Sequence, residues 1–374
     1  MKYLVAALLT LGMQGQGVAQ RPPGDWRTDF GRTTVPLEEI VPGGPPKDGI
    51  PPIDDPRFVS PGEASRWLNE REPVVVVALG SEARAYPLQI LLFHEIVNDV
   101  VDGRPVAVTY CPLCNTALVF EREFAGQVHD FGTTGWLRYS DLVMYDRQTE
   151  SWWQQATGEA IVGQHAGRKL APVAAPLVAF REFRRSHPQG RVLSRETGHR
   201  RPYGQTPYAG YDAIDNRPFA SFFRRKADTR LRAMERVVVV EHGGEALAVP
   251  FEALRTERVV HERVGGREIV VFWTPEGVSA VDARQLTAGR SVGSAAVFLP
   301  AHDNRRLTFA PSGNGDFSDD ETQSTWNVLG EATAGPLKGA RLDPVPHGVP
   351  FWFAWAAFRP ETRVARGGAR NPGP

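Results

Sequence analysis

Cys111 and Cys114 are the only two cysteines of the chain, and they stand three residues apart in Cys-Pro-Leu-Cys. A pair at that spacing can close a disulfide, supply half of a metal site, or act as a redox dithiol. In a redox pair the first cysteine opens a helix, whose N-terminus favours the thiolate. Here the following Asn115-Thr-Ala-Leu-Val-Phe120 reads as a strand. The pair is therefore expected at the two ends of a tight turn between strands, with Cα atoms within about 7 Å. That is close enough for a disulfide or for a shared ion. A closed structural zinc site needs four ligands, so two cysteines are not sufficient. His94 is the natural third ligand, with His129 or a water as the fourth. The expected site is Cys111, Cys114 and His94 around copper or zinc, with Cys111 and Cys114 also the candidate catalytic residues. The competing readings are a plain structural disulfide and a hydrogen-bonded structural role for His94.

Other polar groups suggest less specific chemistry. His129-Asp130 could be an oriented imidazole or a solvated strand end. Ser140–Gln154 is dense in polar and aromatic residues and suits a pocket wall, or a strand and turn with an Asp146–Arg147 surface pair. Asn314, Asp316, Ser318 and Asp320 alternate oxygen donors, but the glycine and glutamate that complete a calcium loop are missing. The sequence has no phosphate-binding loop, His-Glu-x-x-His, nucleophile elbow or dinucleotide fingerprint.

The elements that must position these residues recur along the chain. Val74-Val-Val-Val77, Gly80, Glu82-Ala83, Ala85 and Pro87 return 163 residues later as Val237-Val-Val-Val240, Gly243, Glu245-Ala246, Ala248 and Pro250. The same offset carries Pro112 onto Pro275, but it carries His94 onto Glu257, Cys111 onto Thr274 and Cys114 onto Gly277. Further on, Trp153 matches Trp326, Gly158-Glu159 matches Gly330-Glu331, and Leu170-x-Pro172 matches Leu342-x-Pro344. Shared residues are expected to be scaffold. Residues whose chemical type changes mark gained or lost function.

The expected fold is mainly β with short helices (α+β), a tandem duplication of one β-rich domain. The first copy covers 57–190 and the second, without cysteines, 236–362. Between them lies a Tyr/Pro/Gly-rich connection over 191–235. Residues 20–56 read as a Pro/Gly-rich arm, and 363–374 as a disordered tail. Residues 74–118 and 237–281 are expected to share one fold. Ser60-Pro-Gly-Glu63 starts a short helix, and Pro176–His187 is the best longer helix.

Composition narrows the partners. Of 374 residues, Lys+Arg and Asp+Glu each number 43, so neither nucleic acid nor an anionic membrane is an expected partner. A small-molecule or protein partner stays open. Lys2, the apolar Tyr3–Met13 and Gly17-Val18-Ala19 form a secretory signal over 1–19, cleaved near Ala19. Export to the periplasm or beyond, with no transmembrane anchor, is the expectation.

Several segments together resemble the domain of unknown function 3179 family of exported bacterial and archaeal proteins. They include Phe93-His-Glu-Ile-Val-Asn-Asp99, Thr109-Tyr-Cys-Pro-Leu-Cys-Asn-Thr116 and Ser140–Trp153 with Gly158-Glu-Ala-Ile-Val-Gly163. Tyr203-Gly-x-x-Pro-Tyr-x-Gly-Tyr-Asp212 and Phe351-Trp-Phe-Ala-Trp-Ala-Ala-Phe358 complete the set. The resemblance spans most of 60–362. It implies one family-length protein and assigns no activity. The metal-binding or thiol-redox reading, and its alternative of a non-catalytic binding or structural protein, therefore rest on the residues.

Overall fold

Local sequence accounts for most of the strands. The run Pro73–Leu79 is β-branched and pairs antiparallel with Glu82–Pro87. Pro87 then caps the helix Leu88–His94. Asp102 and Gly103, at φ 47° and 76°, make the two-residue turn that joins Ile96–Val101 to Arg104–Cys111. The computed structural model describes residues 26–365. Its architecture is mostly strands, with five short α-helices among the described residues. No helix among them is long and apolar enough to cross a membrane. The expected secretory signal over 1–19 lies outside the described residues, as does 366–374.

The two segments singled out by the 163-residue offset carry the same elements in the same register. Val237–His242 pairs with Glu245–Pro250, the helix Phe251–Glu257 follows, and Val259–Val264 pairs with Arg267–Thr274. Even the backbone turn after the helix recurs, with Glu95 at φ 57° and Arg258 at φ 61°. The correspondence stops at Cys111 and Thr274, short of the expected 118 and 281. In the first segment the next strand starts at Thr116, but in the second it starts only at Ser294. The intervening loop is long enough to return to the connection, where Thr206 N–H donates to Arg284 C=O and Gly210 N–H to Asp282 C=O.

The halves are not two separate sheets. An eight-stranded sheet runs Val259–Val264, Arg267–Thr274, Ser294–Phe298, Leu177–Ala179, Pro73–Leu79, Glu82–Pro87, Arg191–Leu193, Phe58–Val59. Leu177 sits between Val75 of the first half and Ala295 of the second. In return, Phe351 N–H donates to Cys114 C=O and the Asn115 side chain donates to Val349 C=O. Each half thus lends a segment to the other. The largest buried cluster mixes them: Tyr110, Cys111 and Cys114 pack with Phe351, Phe353, Ala280 and Val281.

Smaller expectations divide. Ser60 caps Pro61–Ala64 through a full capping box with Glu63. The longer helix begins only at Phe180, because Leu177–Ala179 are claimed by the sheet. The arm is extended but packed: Ile40–Pro42 adds to the Phe131–Arg138 strand, and Trp26 packs edge-on to Trp152. Within the expected tail, Arg363–Val364 pairs with Leu247–Ala248.

Candidate functional site

Cys111 ends the strand Arg104–Cys111, and its partner across the ladder is Thr116. The four residues between them close a tight turn, in which Cys114 N–H donates to Cys111 C=O at 3.3 Å. Asn115, at φ 52°, takes the left-handed conformation that such a turn requires. The expected turn is therefore present. Both cysteines are buried and unbonded, so the structure does not carry the disulfide.

A second turn brings the third member. Tyr139 and Ser140 are both left-handed, at φ 54° and 69°, between Phe131–Arg138 and Asp141–Asp146. This turn aims Ser140 C=O at the Cys111 thiol, which donates to it at 3.6 Å, and it delivers Asp141 to the sulfurs. The two Sγ atoms and an Asp141 carboxylate oxygen all lie within 4.8 Å of one another. Asp141 Oδ2 accepts from the Gln154 amide at 2.6 Å and from Ala156 N–H at 2.9 Å. Asp141 Oδ1 is buried with no partner, as are Ser140 Oγ and Tyr110 Oη. The connection roofs the turn: Tyr211 Oη–H donates to Leu113 C=O, and Ser140 N–H donates to Phe222 C=O.

Among the described residues, no cation is a cause of the shifts at Glu95, Cys111, Cys114 or Asp141. Burial, and then the Asp141 charge, push the Glu95 carboxyl up to about 8. Burial pushes Asp141 up to about 7, against hydrogen bonds from Ala156 and Gln154. Burial also raises Cys111, and it raises Cys114 well above the usual thiol range. Like charges about 4 Å apart repel by about 4 kcal/mol at an effective dielectric constant near 20, so these groups cannot all ionise unaided. They remain protonated or share a cation.

The sequence-derived third ligand is elsewhere. His94 Nδ1 lies 2.7 Å from Pro51 C=O, and Nε2 lies 2.7 Å from Tyr203 Oη. Both ring nitrogens are thus occupied, and burial lowers the imidazole to about 4. The left-handed Glu95 turns the chain just after His94, and after burial and Asp141 it is Glu95, not His94, whose charge adds to the rise of the Cys111 thiol. His129 does not join the sulfurs either. It stands with Asp146 and His165 in a separate group.

Other singled-out residues hold the fold. Arg147 pairs with Asp54 at 3.0 Å rather than with Asp146, and Tyr145 Oη–H donates to Asp48. In the acidic loop, Asp316 pairs with Arg185. Asp141 and Glu95 went unassigned in the sequence. Two signals were available: the polar Ser140-Asp141 step before an apolar strand, and the change from Glu95 to Arg258 at the 163-residue offset.

A family model described as "Protein of unknown function (DUF3179)" matches residues 47–362. The chain belongs to this family. No curated protein and no solved structure matched the chain. The DUF3179 match takes in both cysteines, Glu95, Asp141 and the whole connection that roofs them. It brings the resemblance read from the motifs to nearly the same limits, starting within the arm and ending at Thr362.

Proposed function

We propose that this DUF3179 protein binds a transition-metal ion through Cys111, Cys114 and Asp141. The observation that carries the reading is the buried Asp141 carboxylate beside two buried thiols, with Oδ1 left outside its hydrogen bonds to Gln154 and Ala156. Two thiols and two carboxyls packed together, with burial and their own charges opposing ionisation, are stabilised when a divalent ion displaces their protons. Two thiolates and a carboxylate suit zinc, which accepts sulfur and oxygen together. The hard carboxylate makes the set less suited to copper(I). Three protein ligands leave a fourth position, beside which Ser140 C=O stands 3.6 Å from Cys111 Sγ. Redox use of the dithiol is disfavoured, because the nucleophile is the thiolate and burial raises both thiols. The reading places the site in an exported protein, where the sequence expects it.

The test is the metal content of the full chain, expressed with its N-terminal segment and purified without chelator. About one zinc per chain is expected at the cysteine site, lost on Cys111→Ser/Cys114→Ser, with thiols that resist alkylation until a chelator is added. A Cys111→Ser/Cys114→Ser chain should keep the fold by circular dichroism and carry no metal at this site. A metal-free wild type whose cysteines cycle reversibly to a disulfide would replace this reading with the redox one.

A further inference from the structure

A second constellation lies at the far end of the strand that begins with Asp141. Asp146 closes that six-residue strand, so it stands roughly 17 Å along from Asp141 at about 3.3 Å per residue. Ligand atoms of His129, Asp146 and His165 all lie within 4.8 Å of one another. His129 Nδ1 is 3.0 Å from Gln127 C=O, so Nδ1 carries the proton and Nε2 offers its lone pair. His165 Nε2 is buried and has no partner. Its backbone is fixed by His165 N–H donating to Ser151 Oγ. Phe124 stacks on the His129 ring at 3.7 Å and meets His165 edge-on at 5.2 Å.

The second half separates scaffold from addition. Asp146 accepts from the Trp153 indole at 2.9 Å, from Thr149 N–H at 2.7 Å and from Thr149 Oγ1 at 2.8 Å. Asp319 accepts from Trp326, Thr322 N–H and Thr322 Oγ1 in the same way, at 2.8, 2.6 and 2.7 Å. Phe131 pairs with Asp146, and Phe309 pairs with Asp319. His129 N–H donates to Arg122 C=O as Leu307 N–H donates to Pro300 C=O. Leu337 N–H donates to Ser324 Oγ as His165 does to Ser151. The carboxylate network is therefore common framework. Where the second half buries Leu307 and packs Leu337 against the same core, the first half places two imidazoles facing a carboxylate.

We infer that His129, His165 and Asp146 form a second metal site, selective for a borderline divalent transition ion. Two imidazole nitrogens and one carboxylate are the donor set of such ions. The outer contacts fit as well: His129 Nδ1–H is held by a carbonyl, and the carboxylate is oriented by an indole and a threonine. This site shares no ligand with the cysteine cluster, so either can fail without the other.

The probe is Zn2+, titrated by calorimetry near pH 7 into the chelator-treated Cys111→Ser/Cys114→Ser chain. One equivalent should bind. Cu2+ at the same site should show nitrogen hyperfine structure in its electron paramagnetic resonance spectrum. Adding His129→Leu/His165→Leu, which installs the residues of the second half, should weaken binding at least tenfold without loss of fold. Should that variant fail to fold, His165→Leu alone, at the less buried of the two histidines, should show the same loss. Absence of Zn2+ binding to the cysteine-free chain, or binding undiminished by the leucines, would overturn the inference.

Discussion

Asp141→Asn separates stability from function at the cysteine cluster. In the folded metal-free protein Asp141 holds its proton up to about pH 7, whereas an unfolded aspartate releases it near 3.8. Unfolding between those values therefore releases a proton. The Asp141 contribution to stability is full below about pH 4, falls as pH rises to about 7, and is flat above. A shift of about three units corresponds to about 4 kcal/mol at about 1.4 kcal/mol per unit. Asparagine removes this penalty and keeps an oxygen for the Gln154 amide and Ala156 N–H. Its amide takes the place of the unpartnered Oδ1. Chelator-treated Asp141→Asn should thus be more stable than wild type at pH 8, by up to about 4 kcal/mol, and equal to it near pH 4. The assay is urea unfolding across that range. Zinc in hundredfold excess over its dissociation constant at the cysteine site should then stabilise wild type by about 2.7 kcal/mol more than it stabilises the variant. A variant less stable than wild type at pH 8, or a difference between variant and wild type that does not grow from pH 4 to 8, would refute the reasoning.

The remaining expectations concern protons and His94. Zinc binding near pH 6.5 should release about two to three protons, from both thiols and part of Asp141, so affinity should fall as pH drops; calorimetry in buffers of different ionisation enthalpy counts them. His94→Gln should leave metal content unchanged, because both ring nitrogens are spent on Pro51 and Tyr203. Folded His94 refuses a proton until about pH 4, while unfolded histidine takes one near 6.5. The His94 contribution to stability should therefore fall as pH drops through that window, by up to about 3 kcal/mol and against the Asp141 slope, so urea unfolding should show His94→Gln gaining on wild type as pH drops from about 6.5 to 4.

Much of the local structure was legible in the sequence, for reasons visible at particular residues. Val74–Val77, the Asp102-Gly103 turn and the Ser60/Glu63 capping box are short-range signals, and each formed as read. The cysteine turn followed from Pro112 and the strand after it. The offset of 163 held as long as the two segments needed the same hairpins, and it ended where the second half inserts its loop after Thr274. The exchange of Leu177–Ala179 and Val349–Phe351 between halves left no local mark, because any extended apolar triplet could pair there. His94 was chosen by type and nearness in sequence. The chain turns at the left-handed Glu95 directly after it, and the His94 ring is spent on Pro51 and Tyr203 instead of the sulfurs. Asp141 comes from a strand thirty residues beyond Cys111, a long-range contact that spacing cannot express.

X-ray absorption of the zinc-loaded full chain bears most directly on the ligand set. Cys111, Cys114 and Asp141 should appear as sulfur scatterers at about 2.3 Å, two per zinc at this site, with oxygen at about 2.0–2.2 Å, and the sulfur shell should vanish in Cys111→Ser/Cys114→Ser. A first shell of nitrogen and oxygen alone in the wild type would contradict the cysteine site.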